Sequence, residues 1–181
     1  MEMTNQTHEH QRNRGTGFRP CSVLLLCIAL STECRGQSNA WPLMTEAQAR
    51  AVQRALPSYS GWRVATAEDH VGNREELKRM RDSQPGYNPY FTTTAAKGEE
   101  GPFALALVRD TTFLLLYFAI LAQEYDTPVE VASAGWFREA FLALHGDTLV
   151  VASFRSDVLF EFVRNESTGR FVLINDSTYE R

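Results

Sequence analysis

The sequence predicts an α+β domain in which two N-terminal helices pack on a mainly antiparallel β-meander of six to eight strands. Three observations lead to this prediction. Residues that form and cap helices are concentrated between residues 45 and 82. After residue 90, short apolar or alternating segments are separated by turn residues, which is typical of consecutive antiparallel strands. No long repeat, linker or low-complexity stretch interrupts this order, so a single domain is expected.

The first helix is predicted over residues 45–56. Thr45 and Gln48 have the spacing of a capping box, in which each side chain satisfies a free backbone group of the other residue. The residues that follow are good helix formers. Pro57 should end the helix, because proline has no backbone N–H to donate.

A second, charged helix is predicted over residues 74–82, with Asn73 as its N-cap. Glu75 and Arg79 are four residues apart, the spacing of a stabilising ion pair on a helix surface. Most side chains in this segment are charged, so the helix is expected to face solvent with few inward residues.

Nine segments have the composition of β-strands. The apolar run over residues 113–122 is expected to be a central buried strand, because it lacks the alternation of a half-exposed strand. A helical turn is expected over residues 134–139. In the last hairpin, alternation places Phe160, Phe162 and Leu173 on one side. The predicted strands are 61–67, followed by the meander strands 90–95, 103–109, 113–122, 129–132, 141–144, 148–152, 158–164 and 171–174.

A short apolar segment near the N-terminus predicts a secretory signal peptide over residues 1–40. Residues 23–30 form an apolar run of eight, within the range of a signal core and well below the roughly 20 residues of a membrane-spanning helix. Basic residues precede this run, and small residues follow it. Cleavage is expected before Trp41 or before Gln37.

Removal of the signal peptide leaves one globular domain over residues 41–181. All three cysteines lie in the removed segment, and neither Cys27 nor Cys34 follows the small residue that lipid attachment requires. The remaining segment has 19 acidic and 14 basic residues and no basic cluster. Binding to nucleic acid or to anionic membranes is therefore disfavoured. The expected location is the periplasm or the cell exterior.

No catalytic or metal-binding motif stands out in residues 41–181. The two histidines of this segment, His70 and His145, flank predicted turns and lack the ligand spacing of a zinc site. No serine lies in a G-x-S-x-G elbow. Neither a metal nor a cofactor is predicted, and a binding protein is expected rather than an enzyme.

Five residues are candidates for ligand binding. Arg155 and Asp157 are two residues apart at the start of a strand, so an extended backbone points both to the same side. They could orient a ligand, or they could form a structural ion pair. Tyr87, Tyr90 and Trp136 could form an aromatic surface for a sugar or a peptide, although aromatic side chains also build ordinary cores. The proline-framed segment around Tyr87 is expected to be partly exposed.

Several segments have a common order and composition: residues 61–64 (GWRV), 88–91 (NPYF), 101–108 (GPFALALV), 130–136 (EVASAGW), 146–149 (GDTL) and 154–157 (FRSD). Together they resemble a group of uncharacterised bacterial exported proteins that carry a lone, degenerate FG-GAP or VCBS-like element. In that group an acidic Gly/Asp loop precedes an apolar strand. The matching loop of this chain, residues 97–102, lacks the aspartates that would bind calcium. The resemblance therefore implies export and assigns no functional residue.

The leading hypothesis is a non-catalytic exported module of the bacterial periplasm or exterior that binds a protein or another envelope component. It predicts an exposed apolar or aromatic patch rather than a cleft of strongly pKa-shifted groups. One alternative is a small extracytoplasmic hydrolase that uses Asp157, His145 or Glu100. A second alternative is a vestigial calcium-binding module of the FG-GAP type.

Overall fold

The computed structural model describes residues 43–154 and 159–177, all of which belong to one compact unit. The predicted signal peptide and its cleavage sites lie outside these residues. Two α-helices, α1 (Glu46–Ala55) and α2 (Arg74–Ser83), are joined by short 3-10 segments at Leu56–Ser58 and Ala67–Asp69. The strands are β1 (Arg63–Val64), β2 (Phe91–Thr93), β3 (Phe103–Arg109), β4 (Thr112–Phe118), β5 (Ile120–Leu121), β6 (Glu124–Tyr125), β7 (Val129–Ala134), β8 (Ala140–His145), β9 (Thr148–Ser153), β10 (Leu159–Arg164) and β11 (Phe171–Ser177).

The strands form two main antiparallel sheets and one small hairpin. In the first sheet the order is β1-β3-β4-β7, and β2 pairs with β3 alongside β1. The second sheet has the order β11-β10-β9-β8, so strands that follow each other in sequence are neighbours. The hairpin consists of β5 and β6. The predicted α+β class with mainly antiparallel sheets is confirmed.

Three layers are stacked in the order α1, first sheet, second sheet. On one face of β3, Phe103, Leu105 and Leu107 belong to a buried cluster that includes Ala51 and Val52 of α1. The other face of the first sheet packs against the second sheet, in a cluster that includes Ala104, Ala106, Val108, Leu115, Leu142, Leu149 and Val151. Because both faces of β3 and β4 are covered, their sequences are continuous apolar runs.

The predicted single meander of six to eight strands needs correction. The described residues contain eleven strands, which divide into two sheets and a hairpin. β5 and β6 have two residues each, too few to produce an alternating pattern, and β1 is the two-residue part of the predicted strand 61–67 that forms in the structure. The apolar run over residues 113–122 contains both β4 and β5, and positive φ angles at Ala122 and Gln123 form the turn into β6.

Both predicted helix starts are confirmed. In the capping box of α1, Thr45 Oγ1 accepts from the Gln48 N–H at 3.2 Å, and Gln48 Oε1 accepts from the Thr45 N–H at 2.9 Å. Asn73 caps α2 by accepting from the Glu76 N–H at 3.1 Å.

The ion pair predicted on α2 has a different partner. Arg79 Nη1 lies 2.8 Å from Glu76 Oε2, at i,i+3, and not beside Glu75 at i,i+4. Both spacings bring side chains together on a helix surface, so the sequence pattern alone does not choose between them. All the described ion pairs of α2 join exposed or half-exposed side chains, as expected for a helix that faces solvent.

Candidate functional site

The outermost strand of the second sheet, β11, has an edge whose first four residues, 171–174, are uncharged, and Asp176 is the one charged residue of the strand. It pairs with β10 on one side, and no described strand pairs with its other side. Val172, Leu173 and Ile174 are 52%, 45% and 60% exposed, the longest exposed run of large apolar residues in the described chain. Soluble proteins usually protect such an edge with charged residues or proline, and residues 171–174 contain neither.

A β-bulge interrupts the pairing of this strand at Ile174, its most exposed apolar residue. Phe162 pairs with Leu173 and Glu161 pairs with Asn175, so Ile174 is an extra residue without a cross-strand partner. Asn175 Nδ2 lies 3.5 Å from Glu161 Oε2 on the inner side of the bulge. The bulge and the charge of Asp176 are two features of β11 that generally discourage pairing with another sheet.

Trp136 extends the apolar surface beyond β11. It lies in the 3-10 segment Gly135–Glu139 and is 40% exposed. Its ring centroid lies 4.6 Å from that of Phe160 on β10 and 4.3 Å from that of Phe137, which is buried. Phe160 pairs with Asp176, two residues from Ile174, and is therefore a diagonal neighbour of the bulge. We use the name apolar margin for Trp136, Phe160, Val172, Leu173 and Ile174, of which Leu173 lies on the same face of the sheet as Phe162 and Val172 on the opposite face.

Sequence patterns predicted only part of the apolar margin. Trp136 was a predicted candidate, and the structure places it on the margin. Alternation placed Leu173 on the same side as Phe162, and the register confirms this by pairing the two residues. The exposure of β11 was missed, because alternation does not show which strand lies at the edge of the sheet. The available signal was the unbroken apolar run of residues 171–174, which does not alternate as a half-buried strand should.

Tyr90, another predicted site residue, lies in the core. It is 1% exposed, its ring lies 5.0 Å from that of Phe113, and its hydroxyl donates to the Arg138 carbonyl at 2.9 Å. The Asn88 side chain draws this segment inward by donating to the Ala65 carbonyl at 2.9 Å and accepting from the Tyr90 N–H at 3.1 Å. Tyr90 is therefore not on the surface that the sequence predicted for it.

Tyr87 lies beside a groove of about 500 Å³ that is separate from the margin. Its side chain is half-buried, and burial raises its pKa to about 12, so the phenol is neutral at physiological pH. Other groove residues include Leu43, Phe91, Thr92, Lys97 and Leu142. Arg155 and Asp157 lie outside the described residues, and their role stays a prediction.

A buried histidine lies near the second sheet. His70 is 3% exposed, and its ring packs edge-on against Phe154 at 5.3 Å. Its Nδ1 accepts a hydrogen bond from the Gly72 N–H at 3.1 Å, whereas Nε2 has no hydrogen-bond partner. Burial lowers the pKa of His70 below its usual value, although the nearby Glu139 opposes this shift. His70 is therefore neutral at pH 7.

A cavity of about 600 Å³ lies between His70 and α2. Its charged residues largely neutralise one another, since Arg81 Nη1 lies 3.2 Å from Glu68 and Lys78 Nζ lies 2.7 Å from Asp82. These pairs are exposed and contribute little energy. Arg74 also lines the cavity outside these two pairs, so the charge that the lining offers to an ionic ligand is that of one guanidinium.

Of the residues named for hydrolysis, the two that the structure describes, His145 and Glu100, do not line a common cleft. His145 and Glu100 are both exposed, His145 at the end of β8 and Glu100 in the loop between β2 and β3. Among the described residues there is no group of three or more His, Cys, Asp or Glu side chains placed to hold a metal ion. The position of Asp157 lies outside this description.

Comparison with known proteins returned no matching family model, no matching curated protein and no matching solved structure. The resemblance to exported proteins with an FG-GAP-like element therefore stays a prediction. In the described part of the chain, neither helix has the length and apolar character needed to cross a membrane.

Proposed function

We propose that this protein is an exported, non-catalytic binding module that takes up an extended apolar segment of another protein along β11. The observation that carries the proposal is the apolar margin, in which three consecutive exposed apolar residues of an edge strand occur together with an exposed tryptophan. Large apolar side chains left exposed next to one another along a strand edge are a common mark of a protein interaction site.

The edge of β11 with which no described strand pairs favours an extended partner over a helical one. A strand edge presents unpaired backbone N–H and C=O groups, and an added strand satisfies them while its side chains contact the apolar residues of the edge. Trp136 would supply a large aromatic contact at one end of this surface, a residue type enriched among the strongest contributors to binding. The partner segment is expected to be apolar and uncharged at the residues that face β11.

The electrostatics of the described residues favour binding over catalysis. The pKa of Asp69 is lowered because hydrogen bonds from Arg63 and Thr66 outweigh the opposing effect of burial. The shifted tyrosines owe their raised pKa values mainly to burial. Burial also lowers the pKa of His70, but the neighbouring Asp69 is held by Arg63 at 2.8 Å and does not pair with the imidazole. Catalytic sites generally bring a shifted acid and base together in one cleft.

Export is the second part of the proposal, and it depends on the predicted signal peptide. Protein recovered from the extracytoplasmic fraction of its host should begin at Trp41 or Gln37 when its N-terminus is sequenced. A native protein that begins upstream of Cys21 and stays in the cytosol would contradict export. The apolar margin would then have to bind its partner in the cytosol.

The substitution Ile174→Lys should weaken peptide binding by about tenfold or more, because a lysine on an edge strand opposes strand addition. Peptides selected from a random library on the wild-type protein would be measured against the variant by fluorescence anisotropy.

Leu121→Lys is the matched control for this experiment. Leu121 is 57% exposed, compared with 60% for Ile174, but it lies in the hairpin of β5 and β6. Equal loss of binding in both variants, or selected peptides that bind the Ile174→Lys variant as well as the wild type, would overturn the assignment to β11. Self-association of the wild type that Ile174→Lys abolishes would instead identify a second copy as the occupant.

A further inference from the structure

The position of Trp136 depends on a turn at residues 70–72. The 3-10 segment that carries Trp136 also contains Arg138, whose carbonyl accepts two hydrogen bonds. One comes from the Val71 N–H at 3.0 Å and the other from the Tyr90 hydroxyl at 2.9 Å. The turn and the core together therefore hold the segment against the second sheet.

His70 fixes the conformation of this turn. Its Nδ1 accepts from the Gly72 N–H, so the ring must carry its proton on Nε2. A methyl group at Gly72 would come within 2.5 Å of His70 Cε1, which shows how closely the ring and the backbone of the turn are packed. The only ring nitrogen that can take up a proton is thus already used as an acceptor inside the turn.

We propose that His70 is a pH-sensitive latch for the apolar margin: protonation of Nδ1 breaks its hydrogen bond with Gly72 and loosens the segment that carries Trp136. The inference concerns regulation of the proposed binding surface and rests on the proposed function for its biological role. The coupling between protonation of His70 and the position of Trp136 does not depend on any ligand.

The charged groups around His70 come from three directions. Glu139, in the 3-10 segment, favours the protonated ring, and Arg138 lies beside it in sequence. Asp69, next to His70, is held by Arg63 at 2.8 Å and is not free to pair with the ring.

The cavity side of His70 carries Glu68 together with the cations of α2. Tyr90 and Phe154, which contact the ring, are uncharged at neutral pH.

The direction of the pH effect follows from burial. The native protein binds the proton of His70 less readily than the unfolded chain, whose histidine titrates near pH 6.5. The latch should therefore be fully closed above about pH 6.5 and should weaken as the pH falls below that value, toward the lower pKa of the native histidine. The same linkage makes the fold less stable in acid.

Fluorine NMR of the full chain labelled with 5-fluorotryptophan tests the latch, with the Trp136 signal assigned from a Trp136→Phe variant. We expect the Trp136 signal to be constant from pH 8 to 7 and to shift on acidification with a midpoint below about pH 6.5. The signal of Trp62, which lies under the Arg109 guanidinium at 4.6 Å, should not follow that midpoint.

Two variants and one direct measurement distinguish the outcomes. His70→Gln should abolish the Trp136 shift, and His145→Gln, at an exposed histidine, should retain it. Should His70→Gln fail to fold, the carbon-bound proton signals of His70 in the wild type give its midpoint directly. A Trp136 signal that does not move between pH 8 and 5, or that follows His145, overturns the latch. If the Trp136 signal of the wild type shifts with pH as expected but no peptide binds along β11, the latch is supported and the binding proposal is refuted.

Discussion

Replacing Tyr90 with alanine should destabilise the fold by about 3–5 kcal/mol, the range for removing a large buried aromatic side chain. Tyr90 is 1% exposed and packs beside Phe113 between the two sheets. The substitution also removes one of the two hydrogen bonds to the Arg138 carbonyl. Urea unfolding followed by circular dichroism gives the change in the free energy of unfolding.

Two further substitutions separate packing from hydrogen bonding at this position. Tyr90→Phe keeps the ring and should cost about 1 kcal/mol, the net contribution of one hydrogen bond. Tyr87→Ala, at the half-exposed tyrosine of the same segment, should cost less than Tyr90→Ala. A cost below 1 kcal/mol for Tyr90→Ala would mean that Tyr90 lies at the surface and not in the core.

Phe103→Ala should have an effect of similar size, about 3–5 kcal/mol, on the opposite face of the first sheet. Phe103 is fully buried, stacks on Phe118 at 4.4 Å with an interplanar angle of 6°, and meets the edge of Tyr125 at 5.1 Å. Its removal should loosen the packing between this sheet and α1. The midpoint of thermal unfolding and the urea unfolding curve both measure the loss.

Val172→Ala provides the control for Phe103→Ala. Val172 is 52% exposed on β11, and its truncation should change the free energy of unfolding by no more than about 0.5 kcal/mol. Equal costs at the two positions would contradict the assignment of Phe103 to the core, of Val172 to the free edge, or of both.

Local signals were sufficient to predict the helices and the buried strands. The capping box of Thr45 and Gln48 depends on residues three apart, and the structure contains both of its hydrogen bonds. β3 was predicted with its observed bounds because a strand covered on both faces is apolar at every inner residue. These features require no knowledge of how distant segments meet.

The division into two sheets could not be predicted in this way. Whether β7 returns to β4 or continues the meander into β8 depends on pairing between distant strands, which leaves no local pattern. The burial of Tyr90 is a similar case. Asn88 places it in the core through a hydrogen bond to the Ala65 carbonyl, 23 residues earlier in the chain.

The same limit applies to the candidate site. Trp136 could be named from its residue type, but its neighbour Phe160 lies 24 positions away and is brought to it by the sheet. The exposure of Ile174 results from a bulge and from the position of β11 at an edge. Alternation of apolar residues is the same in edge and central strands, so it did not predict this surface.

Site-specific photocrosslinking in the native host tests the binding surface most directly. A benzophenone amino acid would replace Ile174 in one variant and Leu121 in another, two apolar residues of nearly equal exposure. We expect the probe at residue 174 to give a discrete adduct of higher mass in the extracytoplasmic fraction, and the probe at residue 121 to give none. Absence of an adduct at residue 174, or the same adducts from both positions, would contradict a binding role for β11.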